Sequence, residues 1–132
     1  MGKVVLDTSA WVEFERKGEI LVELNSEDEL LLSTVALGEL LVATRLKRRS
    51  GSAVAATADY IQDLLAFTRV IPLDEATARI YADLKAFTKL EGSPRGTNDL
   101  WIAATAIQHE AELLSYDRRA NFAGLPKLVV RS

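Results

Sequence analysis

The 132-residue chain is 48% hydrophobic and 27% charged, with seven glycines and three prolines. That is the make-up of one folded domain over residues 1–132, and it excludes a fibre or a disordered tail. The absence of cysteine excludes disulfide scaffolds, thiolate metal sites and thiol nucleophiles, and a net charge of −3 leaves no overall basic footprint for nucleic acid.

The first apolar run, Val4-Val5-Leu6, is too short for a leader peptide or a membrane span, so a cytoplasmic protein is expected. Residues 3–6 lack polar alternation and read as a strand buried on both faces. Asp7, Thr8 and Ser9 offer capping side chains for a helix over 10–16. Gly18 is expected to break it, with a short second helix over 19–24. A strand at 30–32 follows, and Ser33 or Thr34 caps a helix reaching about residue 47. The turn Ser50-Gly51-Ser52 leads to a helix over 53–67, then to a strand at 69–71. Asp74 caps a long helix over 75–90, and the loop 92–96 precedes a helix opened by Thr97 or Asn98 and running to about residue 110. Short strands at 113–114 and 128–130 complete the set. Strands alternating with helices imply an α/β fold, a three-layer α/β/α sandwich around a mostly parallel sheet. Ligands of such sheets bind beyond the carboxyl ends of the strands.

Most of the 19 acidic residues sit in turns, caps and mixed helix faces, but four need another account. Asp7 ends the first strand, where it serves either as a helix cap or as a site residue. Glu39 interrupts an apolar stretch, with Val35, Ala36, Val42 and Ala43 one turn away and no Lys or Arg to pair with it. A carboxylate so placed is paired, bound to a metal, protonated, or at the edge of the stripe reaching water. Asp99 lies in the first turn of an apolar helix, where the dipole favours an acid. Asp117 follows the strand at 113–114 and is either a turn initiator or a second strand-end site residue. Four carboxylates at one sheet edge call for a hard cation, Mg²⁺ or Mn²⁺.

At this point the segments Leu6-Asp7-Thr8-Ser9, Ser33–Leu40, Thr97–Ala104 and Leu114-Ser115-Tyr116-Asp117 resemble the signature segments of PIN-domain ribonucleases. Within that family the compact size resembles the VapC-type toxins of toxin–antitoxin pairs. The resemblance implies Asp7, Glu39 and Asp99 as core metal ligands and Asp117 as the fourth, with Thr8 or Ser9 supporting Asp7. It leaves open whether Asp117 or Asn121 supplies the fourth group. It implies hydrolysis of RNA phosphodiester bonds by a water that the ion activates, leaving a 5′-phosphate and a 3′-hydroxyl. A cognate antitoxin and a homodimer are the implied partners.

Arg95 and Arg118 read either as groups that hold backbone phosphates or as simple surface charge, while the cluster Arg45, Lys47, Arg48 and Arg49 reads as a solvated helix end or a phosphate contact. Trp101 reads as a core residue and Trp11 as part of the core or of a partner surface, with stacking on bases the alternative for both. His109, the single histidine, reads as a surface residue. Three competing readings are a phosphoacceptor signalling domain, a PIN-like RNA-processing nuclease without an antitoxin, and a binding module that has lost catalysis. The first lacks the adjacent acids after strand one and the late lysine that such domains need.

Overall fold

The computed structural model describes residues 2–17, 20–50 and 54–131. In chain order the elements are β1 (Lys3–Leu6), α1 (Thr8–Lys17), β2 (Glu29–Ser33), α2 (Thr34–Ser50), α3 (Val54–Phe67), β3 (Arg69–Ile71), α4 (Glu75–Leu90), α5 (Thr97–Gln108) and β4 (Glu112–Leu114). Two single-turn 3-10 helices, Arg118–Ala120 and Phe122–Gly124, follow β4.

The sheet runs β3-β2-β1-β4 and every pairing is parallel. Val4, Val5 and Leu6 in the central strand are fully buried, as an unalternating apolar run requires when both faces are covered. Parallel neighbours need crossovers, and these are right-handed. The chain walks from β1 through β2 to β3, then reverses to lay β4 on the other side of β1. That reversal sends α4 and α5 to the face opposite α1–α3. Accordingly α1, α2 and α3 touch in succession and α4 packs along α5, while α2 also meets α5, where Asn98 approaches Glu39. The result is the expected three-layer α/β/α sandwich. Its reversal point lies at the carboxyl ends of β1 and β4, where sheets of this kind form a ligand-binding crevice.

Local signals account for most of the element ends. Ser33 Oγ accepts the Ala36 amide at 2.9 Å and so caps α2, as Ser33 was one of two residues expected to do. Asp74 caps α4 through a reciprocal box with Thr77. In the outer layer, Trp11 is fully buried against Phe14, which stacks on Phe67 of α3 at 5.7 Å.

Two expected elements are replaced by something smaller. Gly18 and Glu19 lie outside the described residues, and 20–24 form one turn closed by the Leu24 amide on the Leu21 carbonyl at 2.9 Å. Leu21 and Leu24 both enter the core from that single turn, and so short a segment does not sustain a helix. The strand at 128–130 is reduced to one bridge, Leu113 to Val130, because β4 offers only three residues and Lys127 enters with φ +65. Residues 51–53, with most of the expected turn and the first residue of the 53–67 helix, lie outside the described residues, and Ser50 still belongs to α2.

Candidate metal centre

Asp7 leaves β1 at the crevice and is only 3% exposed. Its Oδ1 accepts the Ala10 amide at 2.9 Å and the Ser9 hydroxyl at 2.6 Å, while Oδ2 accepts the Ser115 hydroxyl at 2.5 Å. The capping reading of Asp7 therefore holds, and the cap leaves its carboxylate within reach of the field of Asp99. Burial pushes its carboxyl above the usual range, partly offset by the hydrogen bonds of Ser115, Ser9 and Ala10, and Asp117 pushes it up again. Ser9 and Ser115 do more than hold Asp7. The Tyr116 amide donates to Ser9 Oγ and the Asp117 amide to Ser115 Oγ, both at 3.0 Å, so the two hydroxyls bracket the strand-end loop onto Asp7.

Glu39 reaches the same crevice from α2. Its Oε1 accepts the Thr8 hydroxyl at 2.5 Å, and Asn98 Nδ2 approaches Oε2 at 3.4 Å. Thr8 therefore supports Glu39, whereas Ser9 supports Asp7. The isolation expected for Glu39 is only half right. Val42 is 57% exposed, and Gly38 and Ala43 also face water, so the apolar stretch around it is a surface as well as a core. Its lack of a cationic partner holds among the described residues.

Asp99 is the third residue of α5, after the N-cap Gly96. A Cβ on Gly96 would stand 3.1 Å from Asp99 Oδ2, so the missing side chain at 96 gives the carboxylate room. Burial raises the Asp99 carboxyl, and Asp117, Asp7 and Glu39 each raise it further. The four acids thus share one electrostatic field although they come from two strand ends and two helices.

Asp117 caps the first 3-10 helix, its Oδ1 accepting the Arg119 amide at 2.9 Å. Asn121 ends that helix in a left-handed conformation, φ +50 and ψ +48, and its carboxamide has no hydrogen-bond partner among the described residues. Arg95 does not present a free guanidinium. It donates to the carbonyl and hydroxyl of Ser93 and, at 3.2 Å, to the Asn121 carbonyl, lying where a Gly124 side chain would stand. Its expected phosphate role gives way to tying the loop before Asp99 to the segment after Asp117. Arg118 forms no ion pair among the described residues and stays exposed.

The donor set suits a hard divalent ion, because it is all carboxylate oxygen and no lysine or arginine side chain pairs with any of the four acids among the described residues. Asp7, with two serines and an amide on it, keeps lone-pair sites for a further partner. As placed, no three acidic or histidine side chains among the described residues are drawn close enough to hold an ion. The repulsion that raises Asp99 favours such a spacing, and a cation would have to draw the carboxylates inward. Sequence reasoning missed Ser115 and Asn98, whose partners are distant in the chain, and Gly96, whose value lies in what it lacks.

The other candidates fall away from the crevice. His109 caps the far end of α5, and burial together with Arg69 and Lys3, at the starts of β3 and β1, lowers its pKa. Trp101 stacks face to face on Tyr81 at 4.0 Å, half-buried between α5 and α4. Of the basic cluster, Arg45 is exposed and donates to Thr44, while the side chains of Lys47, Arg48 and Arg49 lie outside the described set.

The family model described as the PIN domain matches residues 4–128. Ribonuclease VapC5 of Mycobacterium tuberculosis is 32% identical over 119 residues, 86% of this chain and 82% of that protein. Toxin FitB of Neisseria gonorrhoeae is 38% identical over 55 residues, which span 42% of this chain and only 40% of that protein. In fold, the chain matches a member of the VapBC family of toxin-antitoxin systems, VapBC-5 of M. tuberculosis, with a TM-score of 0.75 at 24% identity over the full length of both chains.

Proposed function

The chain belongs to the PIN-domain family, and from that premise we propose that it is a Mg²⁺- or Mn²⁺-dependent endoribonuclease, the toxin of a toxin–antitoxin pair, acting as one domain over residues 1–132. The observation that carries the reading is the shared field of Asp7, Glu39, Asp99 and Asp117, four acids at the switch point with no cationic partner among the described residues. Gathering four acids without a cation costs stability through their mutual repulsion, so their meeting at this place points to chemistry. The relative named a ribonuclease and the relative named a toxin supply the substrate class and the setting.

Asp7, Glu39, Asp99 and Asp117 would hold the ion, which when bound supplies a water of lowered pKa and positive charge facing a phosphodiester. Thr8 orients Glu39, and Ser9 and Ser115 orient Asp7, so the ligands meet the ion with little rotamer freedom left to lose. His109 lies at the other edge of the sheet, which leaves proton removal from the attacking water to the carboxylates and solvent.

A cognate antitoxin is the proposed protein partner. Val12, about half exposed, lines with Leu40, Ala43, Tyr60 and Ile61 a cavity of about 230 Å³, and Val42 and Leu46 of α2 are exposed as well. Contiguous apolar surface of this kind marks a protein-binding face. The toxin is proposed to act as a homodimer. No helix among the described residues is long and apolar enough to cross a membrane, consistent with a cytoplasmic setting.

The test is cleavage of defined RNAs with Mg²⁺ or Mn²⁺ by wild type, Asp7→Asn and Asp99→Asn. Wild type is expected to cut at least one RNA class and both variants to lose about 100-fold or more. Inactivity of wild type on every class, or equal cutting by the variants, ends the nuclease reading. Induced expression should also arrest growth, and co-expression of a neighbouring small protein should relieve it.

A further inference from the structure

Beside the carboxylates, and sharing Asp117 with them, the structure holds a second feature whose other side chains the hydrolytic site does not use. A cavity of about 210 Å³ opens between the strand-end loop and the last bridge of the chain, walled by Asp117, Arg118, Asn121, Phe122 and Val130. Phe122, 3% exposed, and half-buried Val130 contribute apolar surface. Arg118 and Asn121 contribute polar groups, one an unpaired cation and the other an unpaired carboxamide among the described residues. Drug-sized ligands occupy about 300–1,000 Å³, so this cavity suits one planar ring system with a charged attachment.

The backbone holds Asn121 in place for such a role. Its amide donates to the Arg118 carbonyl at 3.2 Å. Its carbonyl accepts from Arg95 Nε and from the Gly124 amide. The left-handed conformation is one that Asn tolerates and most residues do not. The main chain at 121 is thus fixed on three sides while the carboxamide stays uncommitted. A carboxamide presents a donor and an acceptor side by side, the pattern that pairs with the adenine edge. Sequence-specific readers of RNA take unpaired bases in this manner, with apolar surface against the ring.

We infer that this cavity is a single-nucleotide subsite, taking an unpaired base next to the scissile phosphate, with Asn121 reading the base and Arg118 meeting its phosphate. The inference rests on the ribonuclease reading and assigns Asn121 to specificity, leaving the fourth metal position to Asp117. Adenine is the preferred occupant.

The experiment uses the full chain and a pool of RNA randomised over a short stretch, cleaved with Mn²⁺ and sequenced at the new ends. Wild type is expected to favour adenine at one fixed position beside the cut by about tenfold. Asn121→Gly keeps the left-handed backbone at no steric cost and removes the carboxamide, so that preference should flatten to within about twofold. Asn121→Asp keeps the shape but only accepts, so the preference should move towards cytosine, whose amine donates. Wild type cutting with no positional preference, or both variants keeping the wild-type preference, overturns the subsite while leaving the nuclease standing. If wild type cuts nothing, the nuclease reading fails and anisotropy of labelled oligo(A) and oligo(U) decides the subsite. Binding of oligo(A) that weakens about tenfold in Asn121→Gly supports it, and equal binding by both proteins overturns it.

Discussion

The two edges of the sheet treat acidic side chains in opposite ways. At the starts of the strands, Arg131 reaches Asp28 at 2.5 Å and Glu112 at 2.9 Å, and its side chain is only 15% exposed. There the guanidinium holds both carboxyls below their usual range, and they hold Arg131 above its own. At the ends of the strands, Asp7 and Asp99 pair with no cation among the described residues, and burial first, then neighbouring carboxylates, pushes both up. One edge is a closed ion cluster that ties the last residues to the sheet. The other is left open in charge, and the fold bears that cost where the topology makes a crevice.

The sharpest way to break this contrast is to neutralise the open edge. Asp99→Asn should lower RNA cleavage by about 100-fold or more while raising the stability of the metal-free protein, by about 0.5–2 kcal/mol in chemical denaturation. A second change attacks the closed edge. Arg131→Met leaves Asp28 buried without its partner and should cost about 2–3 kcal/mol. That is below the ~3–5 kcal/mol of a fully buried pair, because Glu112 remains 38% exposed. Cleavage per folded molecule should change by less than about twofold. A smaller effect is expected from the hydroxyls. Ser115→Ala and Thr8→Val should weaken Mn²⁺ binding about 10- to 100-fold by calorimetry, with little change in folding.

The pH dependence carries the contrast in its sign. Asp7 and Asp99 have folded pKa values above their unfolded ones, so the folded state binds more protons, and their contribution to metal-free stability falls as pH rises from the unfolded carboxylate range through their folded values. Asp28 and Glu112 are depressed, so their contribution is full above the unfolded carboxylate range and is lost as pH falls through their folded values. Urea titrations at pH 4 and pH 7 should find that Asp7→Asn with Asp99→Asn gains more over wild type at pH 7 than at pH 4, a difference from which the opposing contributions of His109, Asp28 and Glu112 cancel. The smallest effect belongs to Gly96→Ala, where the new methyl meets Asp99 Oδ2 at 3.1 Å and the carboxylate has to shift. Mn²⁺ affinity should fall by less than about threefold.

The open edge was legible in the sequence to the extent that its signals are local. Asp7 follows an apolar run that must be a buried strand, and Asp74 followed by an amphipathic stretch marks α4, whose bounds Glu75–Leu90 agree with the expected ones. Glu39 stood out for the wrong half of a right reason. It lacks a cationic partner among the described residues, but Val42 beside it is exposed, and one sequence does not distinguish a core-facing apolar residue from one that faces a partner. The closed edge was not legible, because Asp28, Glu112 and Arg131 are brought together by the whole fold and each alone resembles ordinary surface charge. Arg95 was misjudged for the same reason, since its acceptors at Ser93 and Asn121 emerge only when the loops meet.

The central claim is that the four carboxylates at the crevice are held apart in charge for a cation. Thermal unfolding at pH 7 with increasing Mn²⁺ tests it directly. Wild type should gain about 2.7 kcal/mol at a concentration 100 times its Kd, while Asp99→Asn starts more stable and gains almost nothing. Equal gains in both proteins, or no gain in wild type at any concentration, would contradict the account.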